Sequence, residues 1–260
     1  MKQLEGKHIS KTYEEAGFFT TKRKVALKPM DIAIDNGEIL AVVGESGSGK
    51  STLANILGFL YAPTTGHIYY NGEEIHYPLS HQIRRDIQMI FQNPFTTLHP
   101  LHTIRKSLVE PIRFHQVVKR EEEEDYIKNL LERCRLPEDI LDRYPSMLSG
   151  GQLQRVNIVR ALSLKPKILI ADEIITALDV PVALDVLELL KDLQKENHLS
   201  ILFISHDLAA VRKIAGRAIV MKNGVVVEEN SVENLFISPK STYTKTLIDA
   251  IPKLLSLIHI

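Results

Sequence analysis

Eight consecutive residues, Gly44, Glu45, Ser46, Gly47, Ser48, Gly49, Lys50 and Ser51, carry the pattern G-x-x-x-x-G-K-[ST]. Glycines at this spacing let successive backbone N–H groups turn into one concavity that suits phosphate oxygens. Lys50 brings a cation to the β- and γ-phosphates of a nucleoside triphosphate, and the Ser51 hydroxyl brings a ligand for Mg²⁺. The stretch lies between the apolar run "EILAVVGE" and the helical "KSTLANILGFL", which is the strand–turn–helix setting this chemistry needs. A glycine-rich turn that only caps a helix would need neither the lysine nor that setting.

A phosphate loop of this kind needs an acidic partner at the end of a strand. "ILIADE" supplies Asp172, expected to hold Mg²⁺ through water, and Glu173, which can accept a proton from an attacking water. An acidic pair can also be no more than the solvated tip of a strand. Downstream of a complete phosphate loop, the chemical reading is the better one. His206 ends the run "ILFISH" and Gln92 ends "MIFQ". Parallel sheets place their ligands at the carboxyl ends of the strands. There His206 can donate to a γ-phosphate, and Gln92 can reach the metal or the water. Neither residue carries the assignment alone.

A second anion-seeking element lies at "SMLSGGQLQR". Ser149 and Gln152 fit a capping box at a helix start. The box leaves Gly150 and Gly151 unexplained, since glycine costs roughly 1 kcal/mol relative to alanine inside a helix. Paired glycines in a first turn make sense where a group must approach the backbone closely, and the positive end of a helix favours an anion.

These groups must be held by a substantial fold. The chain has 260 residues, 44% apolar and 25% charged, with zero formal net charge. It can bury a large core unaided, and it lacks the basic excess of a nucleic-acid binder, so no nucleic-acid partner is expected. Its lone cysteine, Cys134, cannot form an internal disulfide. It reads as a buried bystander in a reducing cytoplasm. The opening "MKQLEGKHISKTY" has no apolar core of the signal-peptide kind, and no apolar run approaches a membrane span. A role at a membrane would be that of a bound subunit. The final "LSLIHI", Leu255–Ile260, matches the translation of a transposon-based sequencing adapter. It is expected to be foreign to the natural chain and is left out of fold reasoning.

The apolar runs "EILAVVGE", "KILIADE" and "SILFISH" read as strands buried on both faces, and "DIQMIFQ" as another strand. "LEGKHISKTY" and "MDIAIDNGE" read as strands separated by the basic loop "TTKRK". "GHIYYNGEEI" and "AIVMKNGVVVEE" read as hairpins turning at Asn71-Gly72 and Asn223-Gly224. From Thr103 to Pro145 the pattern is helical and charged, and the run "KREEEED" is expected to be a solvated helix face. "QLQRVNIVRALSL" and "VALDVLELLKDLQKEN" are further helices. Alternating strands and helices point to an α/β core with an antiparallel element and a helical insertion.

Taken together, the motifs resemble those of the ATP-binding cassette family, the ATPase subunits of ABC transporters. They run in order: Gly44–Thr52 (Walker A), Gln92 (Q-loop), Leu148–Gln152 (signature), Ile168–Glu173 (Walker B), Thr176–Asp179 (D-loop) and His206 (H-loop). Tyr13 resembles the aromatic residue that stacks on adenine. The resemblance implies a P-loop NTPase core of the RecA-like kind, residues 1–95 and 152–235, with an antiparallel β subdomain. A helical subdomain at 96–151 would carry the signature, and a tail would span 236–254. It also implies ATP and Mg²⁺, with Ser51, Gln92 and Asp172 on the metal and Asp179 among the nucleotide-binding residues. Two cassettes would pair head to tail, so that Ser149, Gly150, Gly151 and Gln152 serve a nucleotide held by the other subunit.

"HQIRRDIQMIFQ", "FQNPFTTLHP" and "SPKSTYTKTLIDAIP" further resemble the peptide and nickel importer branch. That branch implies a second ATPase subunit, two membrane permease subunits met by residues 93–115, and an extracytoplasmic substrate-binding protein. The chain would then sit peripherally on the cytoplasmic face of the inner membrane. It departs from the branch at His99-Pro100-Leu101, where Asn-Pro-Arg is usual, and at Ile174-Ile175-Thr176, where Pro-Thr-Ser is usual. Neither departure removes a phosphate or metal ligand. Rival readings are a non-transport cassette acting in translation or DNA repair, and a P-loop phosphotransferase. The first usually has tandem cassettes or a long coiled-coil insertion, and the second has no need of "LSGGQ".

Overall fold

A computed structural model describes residues 1–16 and 21–251. The adapter-like Leu255–Ile260 lies outside the described residues. The chain opens with β1 (Lys2–Ala16), β2 (Thr21–Asp35), β3 (Ile39–Val43), α1 (Lys50–Leu57), β4 (Thr65–Tyr70) and β5 (Glu73–Glu74). Its middle holds α2 (His81–Asp86), β6 (Ile87–Ile90), α3 (Ile104–Phe114), α4 (Glu123–Arg133), α5 (Gly150–Leu162), β7 (Ile168–Asp172) and α6 (Val180–Asn197). It ends with β8 (Ser200–Ser205), α7 (Leu208–Ile214), β9 (Arg217–Lys222), β10 (Val225–Ser231), α8 (Val232–Ile237) and α9 (Thr242–Asp249). Two compact units result, one from residues 1–77 with 200–260, the other from residues 78–199.

The first unit contains two layers of strands. β2, β1, β4 and β5 form an antiparallel sheet in that order. β3 pairs in parallel with β8 and with β9, and β9 pairs antiparallel with β10. Every residue of β3 and β8 is buried, which accounts for their unbroken apolar sequence. Among the described residues Phe203 is the largest fully buried side chain. Both Asn-Gly hairpins form as read, β4–β5 and β9–β10.

The expected basic loop "TTKRK" is corrected in part. Thr21 to Lys24 belong to β2, in register with β1 from Ala16↔Thr21 to Tyr13↔Lys24. Cross-strand pairing overrides the charge signal there, and Arg23 Nε meets Glu14 Oε1 at 2.9 Å. Thr20 lies outside the described residues.

The second unit sets the parallel pair β6–β7, from Ile87↔Ile168 to Ile90↔Ala171, among helices. The acidic run is mostly solvated, but Glu123 is buried and takes a two-pronged grip from Arg113, with N···O distances of 2.7 and 2.9 Å. Hydrogen bonding to Arg113 holds that carboxyl below the ordinary range. Cys134 is fully buried, and burial pushes its thiol up to about 12, so it is an inert packing group. Among the described residues no helix is long and apolar enough to cross a membrane.

Back in the first unit, Glu228 of β10 ties down the tail. Its carboxylate accepts from Lys240 N and Ser241 N, each at 2.9 Å. Burial pushes this carboxyl up, but the backbone donors prevail and hold it below its ordinary value of 4.5. A depressed folded-state pKa means that the stabilisation is complete above the unfolded value and is lost as pH falls through the folded value. Glu228→Gln is therefore expected to cost about 1–2 kcal/mol at pH 7. In urea unfolding at stepped pH, that gap should close below the folded-state pKa of Glu228.

Candidate active site

The phosphate loop leaves the buried end of β3 and closes on the first turn of α1. Gly44 has φ 154° and Gly49 has φ 105°. A side chain on Gly44 would run into the Met221 carbonyl oxygen and come within 2.8 Å of Ser48 Oγ. One on Gly49 would lie 2.8 Å from Ala26 O. Only glycine fits both the conformation and the space. The loop is braced from outside, since Gly224 N donates to Ser48 O at 2.9 Å. Gly49 caps α1 without a side-chain hydrogen bond, and no acidic residue occupies the first turn, so the helix's own first turn does not offset its positive end. The Ser48 hydroxyl is buried without a partner.

Lys50 is 4% exposed, and its ammonium donates to Gly44 O at 2.8 Å and Glu45 O at 2.9 Å. Ser46 and Gly47 lie at the loop's crest, and Ser51 and Thr52 continue into α1. The parallel register Val43↔Ser205 brings the next residues, Gly44 and His206, out at the same sheet edge. His206 is exposed there, directly before Asp207. That aspartate caps α7 by accepting from Ala209 N at 2.8 Å and Ala210 N at 3.2 Å.

Tyr13 sits on β1 with its ring edge-on to Tyr61, the centroids 6.4 Å apart. Lys11 Nζ lies 5.6 Å from the Tyr13 centroid and 5.7 Å from that of Tyr61. Tyr61 drew no notice in the sequence because nothing in its spacing links it to Tyr13. The pairing depends on the fold.

In the second unit, parallel β6 and β7 deliver Gln92 and Glu173 together. Gln92 Nε2 donates to Glu173 Oε2 at 3.1 Å. Asp172 is buried, and Glu173 takes φ 49°, a left-handed conformation costing about 1–2 kcal/mol for a non-glycine residue. The unusual Ile174 and Ile175 are 2% and 6% exposed, so burial accounts for their apolar character. Asp179 precedes α6 without using its carboxylate as a cap. The segment after Gln92 is pinned to α5. Asn157 Nδ2 donates to Pro94 O at 3.1 Å, and Asn157 Oδ1 accepts from the Thr97 hydroxyl at 2.7 Å. In sequence Asn157 is one polar residue in an apolar helix, and nothing in its spacing marks these contacts.

The capping box before α5 forms as read. Ser149 N donates to Gln152 Oε1 at 3.1 Å, and Gln152 N donates to Ser149 Oγ at 3.2 Å. The two glycines differ. Nothing lies within 4 Å of where a side chain on Gly150 would start, whereas on Gly151 it would meet Val182 Cγ1 of α6 at 2.6 Å. Gly151 is therefore accounted for in part by packing, and Gly150 is not.

The α/β architecture, with its glycine loop running from a buried strand into a helix, defines a P-loop nucleoside triphosphatase. The ABC transporter family model matches residues 27–176. The chain belongs to that family as an ATP-binding cassette, and it is an ATPase. It is 40% identical over 256 residues to the dipeptide transport ATP-binding protein DppF of Escherichia coli K12, covering 96% of this chain and 77% of that one. It is 39% identical over 244 residues to the oligopeptide transport ATP-binding protein OppF of Lactococcus lactis IL1403, covering 92% and 76%. Among solved structures, the dimeric ATP-binding cassette MJ0796 in a post-hydrolysis state bound to ADP and Pi superposes with a TM-score of 0.78. It is 34% identical and covers 88% of this chain and 98% of its own.

The contrast between the glycines gives a stability test. Gly150→Ala should leave thermal stability unchanged or raise it, by up to about 1 kcal/mol. Gly151→Ala should lower it by about 1 kcal/mol, because a β-branched valine must shift. Thermal unfolding of the purified chain measures both.

Proposed function

We propose that this chain is the ATP-hydrolysing subunit of an ABC importer for peptides, with nickel or another chelated metal as the other cargo class of the branch. It would pair with a second ATPase subunit, identical or homologous, beneath two membrane permease subunits. An extracytoplasmic binding protein would deliver the cargo. The chain would lie peripherally on the cytoplasmic face of the inner membrane. The observation that carries this reading is the 40% identity, over 96% of the chain, to a dipeptide transport ATP-binding protein. The exposed Phe95, Leu101 and Phe114 support a permease-facing role for residues 93–115.

In this reading the phosphate loop, Gly44 to Thr52, binds the triphosphate, and Lys50 transfers from its own loop carbonyls to the phosphates. Tyr13 stacks on adenine, with Tyr61 steadying its ring. By the resemblance, Mg²⁺ would be held by the Ser51 hydroxyl, the Gln92 amide oxygen and the Asp172 carboxylate, and each of these is the hard oxygen ligand that this ion takes. When bound, Mg²⁺ offsets charge on the β- and γ-phosphate oxygens. Glu173, oriented by Gln92, accepts the proton of the attacking water. His206 donates to the γ-phosphate.

Ser149, Gly150, Gly151 and Gln152 complete the nucleotide pocket of the facing subunit, and Asp179 counts among the nucleotide-binding residues. The open space above Gly150 and the positive end of α5 support that role. ATP binding then favours closure of the pair, and hydrolysis with phosphate release favours reopening.

Glu173→Gln should slow hydrolysis by roughly 10²- to 10⁴-fold while leaving ATP affinity within about twofold. ATP should also drive this variant to dimerise, as read by size-exclusion chromatography with light scattering. A monomeric, fully active Glu173→Gln variant would sink the reading and favour a phosphotransferase. Gly150→Ala should leave ATP affinity of the isolated chain intact but lower turnover of the assembled transporter by at least about tenfold.

A further inference from the structure

The tail segment from Ser238 has no part in the chemistry set out above, yet the fold lays it against the phosphate loop. Glu228 seats it through Lys240 N and Ser241 N. Ser241 then caps α9, its hydroxyl accepting from Tyr243 N at 3.2 Å. This places the Tyr243 hydroxyl 3.2 Å from Glu45 N, from which it accepts a hydrogen bond. Lys222 Nζ stands 4.4 Å from the Tyr243 ring centroid. Lys222 comes from the same hairpin whose Gly224 N–H holds Ser48 O. Tail and hairpin together form an outer wall for the loop.

The Gly44 carbonyl and the Glu45 N–H belong to one peptide group. Its oxygen accepts from Lys50, and its N–H donates to Tyr243. In a trans peptide these bonds point in opposite directions, so the plane is held at both ends. A phosphate that draws Lys50 off the loop removes the first hold and leaves the second. Gly44 puts no steric barrier of its own on rotation of this peptide. A ring of backbone donors binds an anion well only while it keeps its shape.

We propose that Tyr243 is a positioning residue of the ATP site, clamping the Gly44–Glu45 peptide so that the phosphate loop keeps its binding shape while Lys50 moves to the nucleotide. The role depends on the ATPase reading of the loop and acts only through the Glu45 backbone.

Tyr243→Phe removes the hydroxyl and keeps the ring that Lys222 covers. In the full-length chain it should raise the Kd for a fluorescent ATP analogue by about three- to tenfold. The nucleotide-free melting temperature should stay within about 1 °C, and kcat at saturating ATP within about twofold. Glu45→Pro deletes the donor N–H, and in that background Tyr243→Phe should change Kd no further. A fall in melting temperature with Kd unmoved would mean plain tail packing and overturn the proposal. Independent, additive effects of the two substitutions would overturn it too. A wild-type chain without nucleotide affinity would overturn both this role and the ATPase reading. An unmoved Kd in Tyr243→Phe, with tight wild-type binding, would overturn the Tyr243 role alone.

Discussion

A buried ammonium must be met by oxygen atoms, because an uncompensated charge away from water costs several kcal/mol. Lys50 meets that demand with the carbonyls of the loop that carries it. Much of the first unit follows from keeping those oxygens in place. Gly44 and Gly49 let the chain pass beneath Met221 and Ala26 where a side chain would collide. The Asn223-Gly224 turn reaches in to hold the Ser48 carbonyl. Buried β3 and β8 fix the level at which the loop and His206 emerge. These two acceptors are neutral carbonyls, and an anionic phosphate oxygen offers the ammonium a stronger bond than a neutral oxygen does.

The second unit follows a related logic, applied to a carboxylate. Glu173 holds a left-handed backbone that most residues avoid, and Gln92 steadies its side chain. Such strain persists only where the surroundings over-determine the conformation. Buried Asp172, Ile174 and Ile175 on either side supply that constraint. The polar grip of Asn157 on Pro94 and Thr97 extends it, tying the segment after Gln92 to the glycine-led helix α5.

Much of this was legible in the sequence, for identifiable reasons. The unbroken apolar runs at Ile39–Val43, Ile168–Ala171 and Ile201–Ile204 signal strands covered on both faces, and both Asn-Gly pairs mark their hairpins. The capping box at Ser149 and Gln152 is a local device and was readable from four residues. What escaped depends on pairing between distant segments. Lys22 and Lys24 looked like loop because charge is a poor guide where the partner strand is unknown. Glu123 looked solvated until Arg113 of the preceding helix was placed beside it. Tyr61 beside Tyr13, Asn157 beneath Pro94 and Tyr243 against Glu45 are all long-range meetings that carry no periodicity of their own. The split of the chain into residues 1–77 with 200–260 and residues 78–199 is likewise a property of contacts that no composition shift announces.

Asp179 is a good residue for starting a helix, yet its carboxylate makes no bond to the first turn of α6. A well-used aspartate there stabilises a helix by about 1 kcal/mol. The chain forgoes that gain and leaves an acid exposed at the head of a long helix. Engineering for heat tolerance would start early at this spot, where the first turn of the helix still lacks a side-chain cap.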